Sequence, residues 1–389
     1  MDGTIESTSL FHNQFLGLLR LGIGKESEPI QETVDWDAVE TMAVNHGLLA
    51  VIYDAVQQLP ESQRPPQVTW LRWIGQVMQG NERLYAMYSR TISEMASFYN
   101  AHGFKMMVLK GYACGLDWPR PEHRPYGDID IWLFGRQEEA DAVLAKEKGI
   151  KIDKSHHHHS VFEWNGFTVE NHYDFVNVHA HRSSAELEKV FKELGSEDNL
   201  NPNDDVVGKR INGVAVDGQM VYLPSANLHA LFLMKHMASH FAAVGITLRQ
   251  VLDWAFFVEK HTDEVDWKWL DGLLVKYHLK EFFNCINAIC VEDLGFKLNL
   301  NDNVNHNHNH NYLANTNPSN DTNFNLLKKR VLADILNPQF TAAEPDGFVP
   351  RMIHKYRRWQ GNAWKQKLCY EESRWSAFWT LLWSHLIKQ

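Results

Sequence analysis

Cysteine is scarce in this sequence. Four occur in 389 residues, at positions 114, 285, 290 and 369, and no two form a Cys-x-x-Cys pair. That excludes a disulfide framework and a zinc–thiolate site and fits a reducing compartment. An apolar run of the roughly 18 residues that a membrane-spanning helix needs is also missing. The first residues carry neither the basic segment nor the long apolar stretch of a secretory leader. Together these absences set the expectation of a cytoplasmic protein without a transmembrane segment. Positive charge is short as well: 38 Lys and Arg stand against 48 Asp and Glu, a formal net charge of -10. Chain-wide attraction to nucleic acid is therefore not expected, and any such contact must come from a local basic patch. Tryptophan, by contrast, is plentiful at 14 residues. It suggests helices with bulky aromatic anchors and indicates no chemistry.

Residues 1–100 read as helices. Phe11, Phe15, Leu18 and Leu19 follow a helical spacing that Gly22 and Gly24 close. Val39, Met42, Ala43 and Leu49 form a second stripe behind a cap near Asp35. Pro60, Pro65 and Pro66 break the pattern, and residues 68–101 form a long helical candidate. At Gly103 the pattern changes. Lys105 to Leu109 is a short apolar run, as a buried strand would be, residues 112–117 suit a short helix, and Pro119, Pro121 and Pro125 force a loop. Gln137 to Gly149 reads as a helix with a glycine C-cap. Asn165-Gly166 between two alternating runs, Ser160 to Trp164 and Phe167 to Tyr173, is a strong hairpin signal. Arg210 to Leu223 suits a second hairpin turning at Asp217-Gly218. From the N-cap candidate Ser225 the chain is helical again, with one helix expected over 266–294. An Asn-rich tract over 299–325 is too polar to bury a core, and 350–389 is helical and aromatic. The expected fold is α+β, a small mixed sheet within 101–224 flanked by helical regions 1–100 and 225–389.

The chemistry concentrates in Arg124-Pro-Tyr-Gly127-Asp128-Ile129-Asp130-Ile131-Trp132. On a strand, residues i and i+2 share a face, so Asp128 and Asp130 would present adjacent carboxylates. Such a pair repels unless a cation lies between, and hard oxygen ligands beside substrate phosphates suit Mg²⁺. A plainer reading is a strand end with two solvated acids. A third acid should come from a neighbouring strand. Glu170 is the best placed, mid-strand in Val169-Glu170-Asn171-His172, with His172 on the same face; Glu163 and Asp174 are weaker choices. Taken alone, Glu170 reads as a solvent-facing strand residue. Lys110-Gly111 ends the first strand, where backbone N–H groups and a lysine suit a phosphate. Arg124 suits either a phosphate clamp or an ion pair with an acid.

Leu109-Lys110-Gly111, Arg124-x-x-Gly127-Asp128-Ile129-Asp130 and Val169-Glu170-x-His172 resemble the uncharacterised nucleotidyltransferase family of the DNA polymerase β-like superfamily. Leu228-His229-x-Leu231, Lys235-His236, His240, Leu248-Arg249 and Asp253 resemble that family's helical region, and the likeness runs to about residue 260. The resemblance implies a small mixed sheet and two-metal transfer of an NMP from an NTP, ATP in the first instance, to a hydroxyl acceptor. Carried over by motif, Asp128, Asp130 and Glu170 would be the catalytic and metal-binding acids, with Mg²⁺ or Mn²⁺ as the ion. Lys110, Gly111, Arg124, Gly127 and His172 would line the nucleotide. The acceptor (small molecule, protein or RNA) and the oligomeric state are not implied. Two departures stand out: the superfamily's Gly-Ser is Gly111-Tyr112 here, and the gap from Gly111 to Asp128 is long. They keep open a catalytically degenerate nucleotide-binding or protein-interaction module. A tRNA-modifying toxin of a growth-control system is the same chemistry with tRNA as acceptor.

Other patterns take plainer readings. Of the run His156 to His159, one histidine is expected to line the cleft near Glu170 and the rest to lie on the surface. His236 and His240 have an i,i+4 zinc spacing but lack the glutamate of a metalloprotease. Arg249 and Asp253 are spaced as an ion pair that fixes the helical region against the sheet. The basic residues Arg351, Lys355, Arg357, Arg358, Lys365 and Lys367, interleaved with Tyr356, Trp359 and Trp364, read as a helix with solvated charges rather than an RNA contact. Trp375, Trp379 and Trp383 read as docking onto the protein's own core.

Overall fold

A computed structural model describes residues 2–28, 30, 33–156, 158–178, 181–201, 206–298, 322–337 and 345–373. The chain begins with helices α1 (Asp2–Gly22), α2 (Trp36–His46), α3 (Leu49–Gln58), α4 (Gln67–Gln76) and α5 (Arg83–Ala101). Strand β1 (Met107–Val108) and helix α6 (Lys110–Gly115) follow, then β2 (Ile129–Trp132), α7 (Gln137–Lys148), β3 (His159–Trp164), β4 (Phe167–His172) and α8 (Arg182–Leu194). After β5 (Asn212–Val216) and β6 (Gln219–Leu223) come α9 (Ala226–Ala243), α10 (Leu248–His261), α11 (Trp267–Lys276), α12 (Lys280–Ala288), α13 (Thr322–Leu336), α14 (Phe348–Gly361) and α15 (Ala363–Cys369). Among the described residues the six strands form one mixed sheet in the order β3-β4-β2-β1-β6-β5, so the α+β class expected from the sequence holds. No helix among them is long and apolar enough to cross a membrane.

Both hairpins turn where the sequence marks them. Asn165 and Asp217 take positive φ beside Gly166 and Gly218, as two-residue turns require. The elements differ from expectation at four places. The stripe from Val39 to Leu49 is two helices, because Gly47 adopts φ 69 and its N–H caps α2 on Ala43 and Val44. The helix expected over 266–294 is α11 and α12, parted at His278, which takes φ 57. The strand expected over 105–109 narrows to two residues, because α6 already starts at Lys110. Of the Asn-rich tract, 322–325 opens α13; the remainder, with Trp375, Trp379 and Trp383, lies outside the described residues.

One face of the sheet packs Ile129, Ile131, Val169, Phe162 and Trp164 against Tyr88, Ile92 and Met95 of α5 and Leu144 of α7. The main core lies beyond the other face. There Phe15, Leu18 and Leu19 of α1 share a buried cluster with Phe241 of α9, Trp254 of α10 and Phe282 of α12. The N-terminal helices thus pack with the C-terminal ones. His46 of α2 reinforces this by accepting the Leu248 N–H at the start of α10, 3.1 Å away. Burial lowers its pKa to about 4, which keeps that acceptor nitrogen free of a proton.

Candidate functional site

Period-two alternation places Asp130, His159, Glu170 and His172 of β2, β3 and β4 on the face opposite α5. β2 and β4 run parallel with Asp130 opposite Glu170 and Trp132 opposite His172. β3 and β4 run antiparallel with His159 opposite His172. Of the three acids singled out by sequence, two come together and the third stands apart on the same cavity. Asp130 and Glu170 lie with His172 in one group whose donor atoms are all within 4.8 Å, and Asp128, just ahead of β2, lines the same cavity at its exposed rim.

Charges in this group are interlocked. Lys110 Nζ lies 2.6 Å from Asp130 Oδ1, and His172 Nε2 donates to the same oxygen at 3.0 Å. His172 Nε2 is also 3.6 Å from Glu170 Oε2, and His159 Nε2 is 3.8 Å from Glu170 Oε1. Burial opposes the charge on Asp130, but Lys110 and His172 outweigh it and hold its pKa well below the carboxylate range. Burial likewise opposes the charges on His172 and Lys110. The acids nevertheless raise His172 to about 9 and also raise Lys110. Glu170 is lowered, burial being outweighed by its contact with His172. Asp128 moves the other way: desolvation of its carboxyl and the neighbouring Asp130 raise it. Tyr88 Oη anchors the rim by donating to the Asp128 carbonyl at 2.9 Å, and Gln137 Nε2 pins the end of β4 by donating to the His172 carbonyl.

The opposite wall is helical. Lys235, His236 and His240 of α9 and Arg249 of α10 line the cavity, whose volume is about 680 Å³, within the range of small-molecule sites. Neither Lys235 nor Arg249 has a carboxylate partner among the described residues; Lys235 Nζ sits 4.3 Å above the Tyr370 ring. Burial lowers both histidines and, together with nearby Arg124, lowers Arg249. The result is a cavity with carboxylates on one side and unpaired cations on the other.

Residues 32–295, about two-thirds of the chain, match the family described as uncharacterised nucleotidyltransferase. The chain belongs to that family. No curated protein and no solved structure matches it. The matched span contains the cavity-lining residues from Lys110 to Asp253, and membership suggests an enzyme of the nucleotidyltransferase class and implies an NTP as substrate.

The remaining residues singled out by sequence divide. Arg124 is buried, and its Nε and Nη2 donate to the two oxygens of Asp253 at 2.8 and 2.9 Å. The geometry shows the ion pair, and Arg124 also lines the cavity. The i,i+4 pair expected between Arg249 and Asp253 is replaced accordingly: Asp253 spends itself on Arg124 and on Trp118 Nε1. This bond still fixes α10 against the loop that carries Asp128. Gly111 has a local steric reason to be glycine, since a Cβ there would lie 2.4 Å from Tyr88 Oη. A Cβ on Gly127 would meet nothing. In the C-terminal basic cluster Lys365 is not solvated; it is buried, 2.5 Å from Asp334. His158 and His159 both line the cavity, where one histidine of the run was expected. His157 lies outside the described residues. The hairpin register was the signal that marks His159, because a turn at Asn165-Gly166 sets it opposite His172.

Proposed function

We propose that the chain transfers a nucleoside monophosphate from an NTP to a hydroxyl acceptor and releases pyrophosphate. The observation that carries this reading is the facing of the Asp128–Asp130–Glu170 wall by Lys235 and Arg249 across one cavity. A triphosphate needs cations on every side, and acids belong beside it only where a divalent ion intervenes. The donor set fits such an ion: Asp130 and Glu170 stand side by side with Asp128 at the rim, and bound there it would neutralise the phosphates as a Lewis acid. Lys235 and Arg249 would bind the β- and γ-phosphates and orient the α-phosphorus towards the sheet. Glu170, a carboxylate at neutral pH, takes the proton of the acceptor hydroxyl. The acceptor oxygen bonds to the α-phosphorus, the bond from that phosphorus to the bridging oxygen breaks, and pyrophosphate departs with the electron pair.

The test is incubation with labelled NTPs, Mg²⁺ or Mn²⁺ and candidate acceptors. Pyrophosphate release that disappears in Asp128→Ala and Asp130→Ala supports the reading. NTP binding without turnover in any metal would instead support the non-catalytic module, which the contact of Lys110 with Asp130 favours, because that lysine occupies an oxygen an ion would need.

A further inference from the structure

A second group of donors adjoins the acids. The donor atoms of His158, His159 and His172 all lie within 4.8 Å of one another, as do those of Asp130, Glu170 and His172, so His172 belongs to both groups. Ring centroids are 4.3 Å apart for His158 and His159, 5.4 Å for His159 and His172, and 5.8 Å for His158 and His172. The Nδ1 atoms of His158 and His159 are buried and have no hydrogen-bond partner among the described residues. His159 is only 6% exposed. A buried polar nitrogen left unpaired is costly, and a bound ion would offset that cost. His172 has the supporting contact expected of a metal ligand: its Nδ1 donates to the Asp174 carbonyl at 3.2 Å, which fixes the ring and leaves Nε2 towards the acids.

Carboxylates alone suit Mg²⁺, whereas clustered imidazoles suit borderline transition metals. We propose that His158, His159 and His172 join Asp130 and Glu170 in one mixed nitrogen–oxygen centre that selects a divalent ion of the Zn²⁺ or Co²⁺ kind over Mg²⁺. The inference rests on reading this cleft as a divalent-metal site and adds which metal the chain prefers. Bound there, the ion would supply Lewis-acid chemistry.

The full chain, stripped with chelator, is dialysed against Co²⁺, Zn²⁺, Mn²⁺ or Mg²⁺ separately. Metal content is measured together with the visible spectrum of the Co²⁺ form. The expected result is one tightly held transition-metal ion per chain, at least about 100-fold tighter than Mg²⁺, with Co²⁺ bands typical of low coordination number. His158→Ala, His159→Ala and Asp130→Asn should each weaken binding by roughly 10- to 100-fold. His156→Ala, outside the donor group and exposed, should leave it unchanged. Mg²⁺ bound as tightly as Co²⁺ overturns the inference, and so does binding indifferent to His158→Ala and His159→Ala. Binding indifferent to Asp130→Asn also overturns it, because the surface histidine run would then be holding the metal alone. NTP binding in Mg²⁺ is measured in parallel. If it persists in wild type without any transition-metal preference, this inference falls while the nucleotidyl-transfer reading stands; a chain that binds neither metal nor NTP takes both down.

Discussion

Strand β2 and the end of β4 bury both of their faces, and the two faces are built on opposite rules. Towards α5 and α7 they present Ile129, Ile131 and Val169; towards α9 they present Asp130, Glu170 and His172. Ile131 and Asp130 are adjacent in sequence and almost equally hidden, yet one removes apolar surface from water and the other carries a charge into the interior. Burying a charge lowers stability unless it is paired, so a polar face maintained at this depth points to chemistry rather than cohesion. The exception on the apolar face is paired on one side only, the buried Oδ1 of Asn171 having no partner among the described residues. Asn171 points towards α7, where its Nδ2 donates to Asp141 at 2.8 Å.

Exchanging one residue on each face should separate the two rules most sharply. Asp130→Asn should lower pyrophosphate release by at least about 1,000-fold, roughly 4 kcal/mol on the barrier. Any loss of stability, from leaving Lys110 and His172 with only Glu170 and Asp128 beside them, should be the smaller effect. Ile131→Ala should do the reverse, costing about 2–5 kcal/mol in urea unfolding by opening a cavity, with kcat per folded molecule largely kept. Equal loss of kcat per folded molecule in both variants would erase the distinction between the faces.

The same contrast extends to the two arginines around the cavity. Arg124 is committed to Asp253, and Arg124→Ala would leave that buried carboxylate with Trp118 alone, a loss of about 3–5 kcal/mol. Arg249 has no ion pair among the described residues. Arg249→Ala should stay within about 1 kcal/mol of wild type in stability while raising the KM for NTP tenfold or more. Urea melts and steady-state kinetics on both variants decide the matter.

His172 gives the polar face a pH signature. Its folded pKa, about 9, exceeds the ordinary histidine value of 6.5 because of Asp130 and Glu170, despite burial. A raised basic group stabilises the fold fully below its unfolded pKa and loses that contribution as pH rises through the folded one. In chelator, stability should therefore decline between about pH 6.5 and 9, by at most about 3 kcal/mol, and His172→Asn should flatten the decline. No apolar-face substitution should alter that slope.

How much of this could be read beforehand depends on how far apart the partners lie. The Asn165-Gly166 turn fixes the β3–β4 register locally, so the positions of Glu170 and His172, and of His159 across from His172, follow from one dipeptide and period two. The acid pair and its strand were legible for the same reason. The parallel pairing that sets Asp130 beside Glu170 depends on tertiary packing, and only the order of elements hinted at it. The Arg124–Asp253 bond joins residues 129 apart, whereas the pattern offered the nearer Arg249, so local spacing chose the wrong partner. The inward turn of Lys235 and Arg249 likewise follows from how α9 and α10 seat on the sheet. Their own helical periodicity does not contain it.

The smallest effects should come from the two glycines beside the acids, and they test whether the rim of the polar face is held as firmly as the apolar one. Gly111 has φ 23, and an added Cβ would lie 2.4 Å from Tyr88 Oη, whose hydrogen bond holds the Asp128 carbonyl. Tyr88 has little room to yield, with its ring against Tyr126 and Phe167. Gly111→Ala should thus cost about 1–3 kcal/mol through backbone strain and a displaced hydroxyl. Tyr88→Phe removes the clashing oxygen, so the double variant should be less destabilised than the sum of the two single ones. Strict additivity would mean that the tyrosine does not anchor the rim. At Gly127 nothing lies within 4 Å of the new methyl, and Gly127→Ala should change stability by no more than about 0.5 kcal/mol. A fall in nucleotide affinity at that position alone would then measure how closely the bound NTP approaches the backbone ahead of Asp128.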